Sequence, residues 1–164
     1  MKKLFLFIAL VFFVFSTNAQ DNSDNNSDNG FRVGLNLGIP MGDASDYSSF
    51  AGNIDVDYDW SVSNGIDIGL TSGLTYYFGK DNFDDFKYMP IAGSVDFEIT
   101  EDLEAGGDIG YAISLESGGT GDFLYRFQLR YAASDDVDIS ARFNSVSGDG
   151  STLSFLSLGV GYSF

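Results

Sequence analysis

The chain has 164 residues, room for one domain, and a formal net charge of −16. Nucleic-acid binding needs a basic face, which 24 acidic against 8 basic residues do not provide. The sequence has no cysteine and no histidine, which excludes disulfides, thiolate chemistry, a lipid-modified N-terminal cysteine, and the commonest general base and metal ligand.

Residues 1–19 read as a signal peptide. Lys2-Lys3 is the charged start, Leu4 to Phe15 is an unbroken apolar run, and Ser16-Thr17-Asn18-Ala19 supplies small residues for cleavage after Ala19. The run is too short for a transmembrane helix, which needs about 20 residues. Residues 20–30, Gln20 to Gly30, contain no apolar side chain and are expected to be a disordered Asp/Asn-rich leader. Their aspartates lack the Asp-x-Asp-x-Asp-Gly frame of a calcium loop, so a solvated linker is the reading here.

From Phe31 to Phe164 the side chains alternate between apolar and polar, the period of a β-strand. Strand 1, near 31–39, sets Val33, Leu35 and Leu37 against Arg32, Gly34 and Asn36. Strand 2, near 50–62, sets Ile54, Val56, Tyr58 and Trp60 against Asn53, Asp55, Asp57 and Asp59. Strand 3, near 66–78, sets Ile68, Leu70 and Leu74 against Asp67, Thr71, Thr75 and Tyr77. Strand 4, near 88–99, sets Ile91, Val95 and Phe97 against Ala92, Asp96 and Glu98. Pro90 has no N–H, so regular pairing is expected to begin after it. Strands 5 (103–115), 6 (123–133) and 7 (137–146) place Glu104, Asp108, Arg126, Gln128, Arg130, Asp138 and Arg142 on the polar face. In strand 8, Leu156, Leu158, Val160, Tyr162 and Phe164 oppose Ser157, Gly159, Gly161 and Ser163. Leu153 and Phe155 break that phase and are expected above a membrane or at a bulge.

Tight connections (63–65, 100–102, 134–136) alternate with mostly longer ones (40–49, 79–87, 117–122, 147–150). This is the pattern of transmembrane barrels, whose periplasmic turns are short and outer loops longer. The last strand, about ten residues long, matches the 9–11 residues of one tilted crossing. The sequence therefore predicts an all-β fold, a closed antiparallel eight-stranded transmembrane β-barrel over residues 31–164. A soluble lipocalin-like barrel, with its apolar face inward, is the competing arrangement. The aromatics of the apolar face are too bulky to converge on one axis, which favours the membrane arrangement.

The closing stretch resembles that of bacterial outer-membrane barrels, in which a C-terminal aromatic, here Phe164, is the assembly signal. The strand pattern as a whole resembles the small OmpA/OmpX-type barrels. The stretch Pro90-Ile91-Ala92 with Ile99-Thr100-Glu101 and Ala105 to Ala112 is similar to small barrels of Bacteroidetes-type bacteria. The resemblance implies a bacterial outer-membrane location. It also implies contact with membrane lipid and lipopolysaccharide, assembly by the barrel-assembly machinery with periplasmic chaperones, and a monomer. Acyl-chain enzymes on this scaffold use serine with histidine, a route closed here.

A lumen charge network is the candidate site. Asp55, Asp57, Asp59, Asp67, Asp96, Glu98, Glu104 and Asp108 on one arc face Arg126, Arg130, Arg142 and Arg32 on the other. A lone buried charge is prohibitively costly, so each arginine is expected to find a carboxylate. Asp55-x-Asp57-x-Asp59 fails as an EF-hand, because Trp60 and Ile66 stand where glycine and glutamate are required. The glycines of Gly106-Gly107 and Gly159-Val160-Gly161 are expected to make room beside aromatics or to allow curvature. Asp81, Asp84, Asp85 and Asp122, with Phe83 and Phe86, form an acidic rim, read as solvated loops, with divalent-cation contact to lipopolysaccharide phosphates as the sharper alternative. No catalytic residue, cofactor or metal site is assigned. The expected role is structural or interactive in the cell envelope, with a passive small-solute pore as the alternative and a soluble lipid-binding barrel behind it.

Overall fold

In the computed structural model, residues 30–80, 83–116, 120–148 and 150–164 are described. The expected signal peptide and nearly all of the expected leader lie outside them; Gly30 already belongs to the first strand. The elements run β1 (Gly30–Met41), α1 (Ala44–Tyr47), β2 (Ser48–Ser63), β3 (Ile66–Gly79), β4 (Phe86–Thr100), β5 (Leu103–Ser114), β6 (Gly121–Ala132), β7 (Val137–Gly148) and β8 (Ser151–Ser163). Each strand pairs antiparallel with the next, and β8 returns to pair with β1, closing an eight-stranded barrel. Closure leaves no open sheet edge.

Register fixes which face is inside, because a slip of one residue would reverse every side chain. Leu35 is 52% exposed while the next residue, Asn36, is fully buried, and Ile109 is 66% exposed beside Asp108 at 3%. The apolar face therefore points outward all round the wall and the polar face inward. This is the reverse of a lipocalin-like barrel, and that reading is discarded. Around the turn end Phe31 packs on Tyr58 and Tyr58 on Trp60, with ring centroids 4.6 and 4.7 Å apart, and Tyr162 packs on Phe164 at 4.9 Å.

Three local expectations change. β4 starts at Phe86, before Pro90, and pairs with β5 straight through it. A strand residue's N–H and C=O point to the same neighbour, and the Pro90 carbonyl accepts from the Ser72 hydroxyl of β3 at 2.9 Å. The missing N–H therefore falls on the β3 side, where pairing lapses opposite Gly73 and Leu74. Second, Leu153 and Phe155 do not sit at a bulge. β8 pairs without a register shift against both neighbours, and Phe155 is fully buried inside the barrel. Third, the first loop contains the short helix α1, too brief to leave a periodic signal. Its Ala44 is buried against the interior. The tight turn after β2 closes on Gly65 at φ +71°, a left-handed conformation that glycine adopts without strain.

Candidate functional site

The lumen divides along its axis. The turn half and the middle are filled by the charge network. Arg32 donates to Asp57 at 2.8 Å and clamps Asp138 with two bonds of 2.6 and 2.7 Å. Arg126 donates to Asp55 across the lumen at 2.9 Å, to Thr71 at 3.0 Å, and pairs with Asp108 at 2.6 Å. Arg130 lies 3.0 Å from Asp96, 3.0 Å from Glu104 and 3.8 Å from Asp59. Arg142 reaches the second oxygen of Asp55 and donates to Gln128 at 2.8 Å, while Gln128 donates to Asp96 at 2.8 Å.

Asp55 is the centre of this arrangement. Fully buried, it also accepts from Asn36 at 3.2 Å and from Asn53. A carboxylate has about four acceptor positions, and here two arginines and two amides use them. Arg126 and Arg130 share no carboxylate. The Asp55-x-Asp57-x-Asp59 run thus serves a different arginine at each member. Two of the candidate acids stand apart from the arginines: Asp67 accepts from Ser61 at 2.6 Å, and Glu98 lines the turn mouth. Asp138 is the member that the candidate set lacked, although it lies on the inward phase of β7. Sorting by facing arcs misses it, because its partner Arg32 lies on the same side of the barrel, reached across β8.

Glycines make this packing fit. A Cβ at Gly161 would overlap Arg32 and Asp138, one at Gly159 would overlap Asn36, and one at Gly106 would overlap Asp96. The room is for lumen polar groups, not for the aromatics expected from the sequence. Gly107 alone of these lies beside an aromatic, Phe127.

The loop half is apolar. Tyr77, Tyr88, Leu124, Val146 and Phe155 fill it, with Ala44, Ala51, Ala92 and Ala112 as small partners and Phe86 and Leu153 packed alongside. Tyr77 meets Phe155 edge-on at 5.4 Å and Tyr88 at 6.3 Å. The aromatics of the apolar face point outward as expected; these rings belong to the inward face, on which the strand pattern places Tyr77 alone of them. Alanines on the facing strands give up the volume that the rings take.

At the turn mouth the lumen opens into a cavity of about 590 Å³, walled by Arg32, Arg130, Asp59, Asp67, Glu98 and Asp138 among others. The cavity at the loop mouth is about 40 Å³. Of the expected acidic rim, Asp81 lies outside the described residues, Asp122 belongs to β6, and Phe86 turns inward. Phe83 meets Tyr47 edge-on, with ring centroids 5.0 Å apart. Asp85 accepts from the Tyr76 hydroxyl and from the Gly79 N–H, bonds that hold its carboxyl below the ordinary carboxylate range.

The fold is that of small outer-membrane β-barrels. Ail of Yersinia pestis, in complex with the heparin analogue sucrose octasulfate, is similar at a TM-score of 0.60 and 18% identity, over 85% of this chain and 100% of Ail. The outer-membrane enzyme PagL is similar at 0.56 and 14% identity, over 80% of this chain and 98% of PagL. A de novo designed transmembrane β-barrel is similar at 0.56 and 13%, over 82% and 95%. No protein-family model and no curated protein matches the chain. At these identities the likeness concerns the fold alone, and one architecture carries a binding protein, an enzyme and a design.

Proposed function

We propose that this chain is an integral protein of the bacterial outer membrane with a structural or interaction role in the envelope, its lumen closed by its own side chains. The observation that carries the reading is the reversal of the wall. Apolar side chains such as Leu70, Ile109 and Leu158 are exposed outward, while Asp55, Arg126 and Arg142 are buried inside. Only a surrounding of lipid makes that arrangement favourable. Its partners in this reading are membrane lipid and lipopolysaccharide, and, during biogenesis, periplasmic chaperones and the barrel-assembly machinery, which reads Phe164. It acts as a monomer. The polyanion bound by Ail is not carried over, because the loop end here bears Asp43, Asp46, Asp84 and Asp85 and would repel it.

A passive pore for small solutes is the second reading, favoured by the wide turn mouth. Single-channel recording of the refolded protein in planar bilayers separates the two. A closed lumen gives a silent bilayer; steady ohmic steps in the wild type replace the closed reading with the pore.

A further inference from the structure

We infer that the barrel is a one-ended cup, open to water at its turn mouth and sealed at its loop mouth by the aromatic plug. The inference rests on the outer-membrane reading only for which side of the membrane each mouth faces. At the turn mouth the cavity of about 590 Å³ descends to the guanidinium groups of Arg32 and Arg130. Charged walls of this kind hold water, because every donor and acceptor there can exchange a protein partner for a solvent one.

The loop half has the opposite character. Tyr77, Tyr88, Leu124, Val146 and Phe155 are each less than 5% exposed, and the cavity at the loop mouth, which touches Tyr77, Ser48, Phe86 and Leu153, is about 40 Å³. Apart from the hydroxyls of Tyr77 and Tyr88 the constriction is lined by apolar side chains, and such a lining stops ions without a charge barrier. The first loop closes over it. Asp43 accepts from the N–H of Thr152 at 3.2 Å, the N–H of Lys80 donates to Tyr47 at 3.0 Å, and Ala44 is buried beneath. The seal therefore belongs to the plug, while the charge network below it is the floor of a vessel that solvent enters from the turn side.

The native chain has no cysteine, so a single introduced thiol reports its own surroundings. Ser61→Cys stands in the turn-mouth wall, and Ala51→Cys and Ala112→Cys stand in the plug. Each variant is refolded in phosphatidylcholine vesicles and treated with a small sulfonated methanethiosulfonate, with heat-modifiable gel migration confirming the barrel in the same samples. Ser61→Cys is expected to react, and the two plug thiols are not. Adding Phe155→Ala, or Phe155→Ala with Tyr77→Ala, exposes Ala51→Cys, whereas adding Arg130→Ala does not. Reaction of either plug thiol in the otherwise native barrel, silence of Ser61→Cys, or unsealing by Arg130→Ala alone overturns the inference. Loss of heat-modifiable migration in every sample would instead count against the membrane barrel itself.

Discussion

The turn half and the loop half of the lumen share the same eight strands and are filled in opposite ways. Below, Arg32, Arg126, Arg130 and Arg142 are buried against carboxylates. Above, Tyr77, Tyr88, Leu124 and Phe155 are buried against alanines. A polar filling is stable only while every member keeps its partner, since an ion stripped of its counter-charge in a low-dielectric interior costs several kcal/mol. An apolar filling is held by volume, tolerates exchange of shape, and fails by leaving a cavity. The two halves should therefore break under different substitutions.

The largest effect is expected at Asp55. Asp55→Ala takes the carboxylate from Arg142 and one of two from Arg126, which keeps Asp108, at a cost of about 3–5 kcal/mol, read in urea titrations of refolding in vesicles. Replacing Asp55 and Arg142 together by apolar side chains of similar volume, which leaves Arg126 on Asp108, should recover much of that loss, because the pairing energy only offsets desolvation. Phe155→Ala comes next, at roughly 3 kcal/mol from the cavity it leaves. Phe155→Leu should cost under about 1.5 kcal/mol. If the conservative Asp55→Asn proves as mild as Phe155→Leu, the distinction between the halves collapses.

The wall tests the assignment of faces. Leu70→Arg puts a charge on the lipid side near mid-barrel and should cost about 2–4 kcal/mol. Thr71→Arg, one residue on, points into the lumen and should suffer from crowding against Arg126 instead. Equal tolerance of Leu70→Arg in the same titrations would reverse the inside and outside of β3.

At the loops the effects shrink. Lys87 and Glu116 form an exposed pair at 3.7 Å, so Lys87→Ala should change stability by no more than about 1 kcal/mol. Asp85, whose carboxyl is held low, should stay charged in its bonds to Tyr76 and Gly79 at neutral pH. A lowered carboxylate favours the folded loop above its ordinary value, and that contribution is lost as the pH falls through the lowered one. An NMR titration of the Asp85 side chain should place its midpoint below the ordinary aspartate value, and Tyr76→Phe should raise it; a midpoint at or above the ordinary value contradicts the tie.

The wall was legible in the sequence because a period of two over every strand leaves one solution for which residues share a face. The phase of β2, from Asn53 to Trp60, needed no tertiary information. The interior was legible in its charges but not in their partners. Arg32 chooses Asp138 through the stagger of β7, β8 and β1, and stagger is a property of closure that no single strand carries. The aromatic plug escaped for a related reason. Tyr77 and Phe155 are on the inward phase, but whether a ring fits there depends on Ala51, Ala92 and Ala112 on other strands. Pro90 misled because its missing N–H matters on one side of β4 only, and the side depends on pairing phase.

The most direct test of the membrane barrel is the fate of the expressed protein in a Gram-negative host, followed by fractionation and electrophoresis with and without boiling. The expected result is recovery in the outer-membrane fraction, with the unboiled protein migrating differently from the boiled. Recovery as a soluble periplasmic monomer without detergent, with no heat-dependent shift, would contradict it.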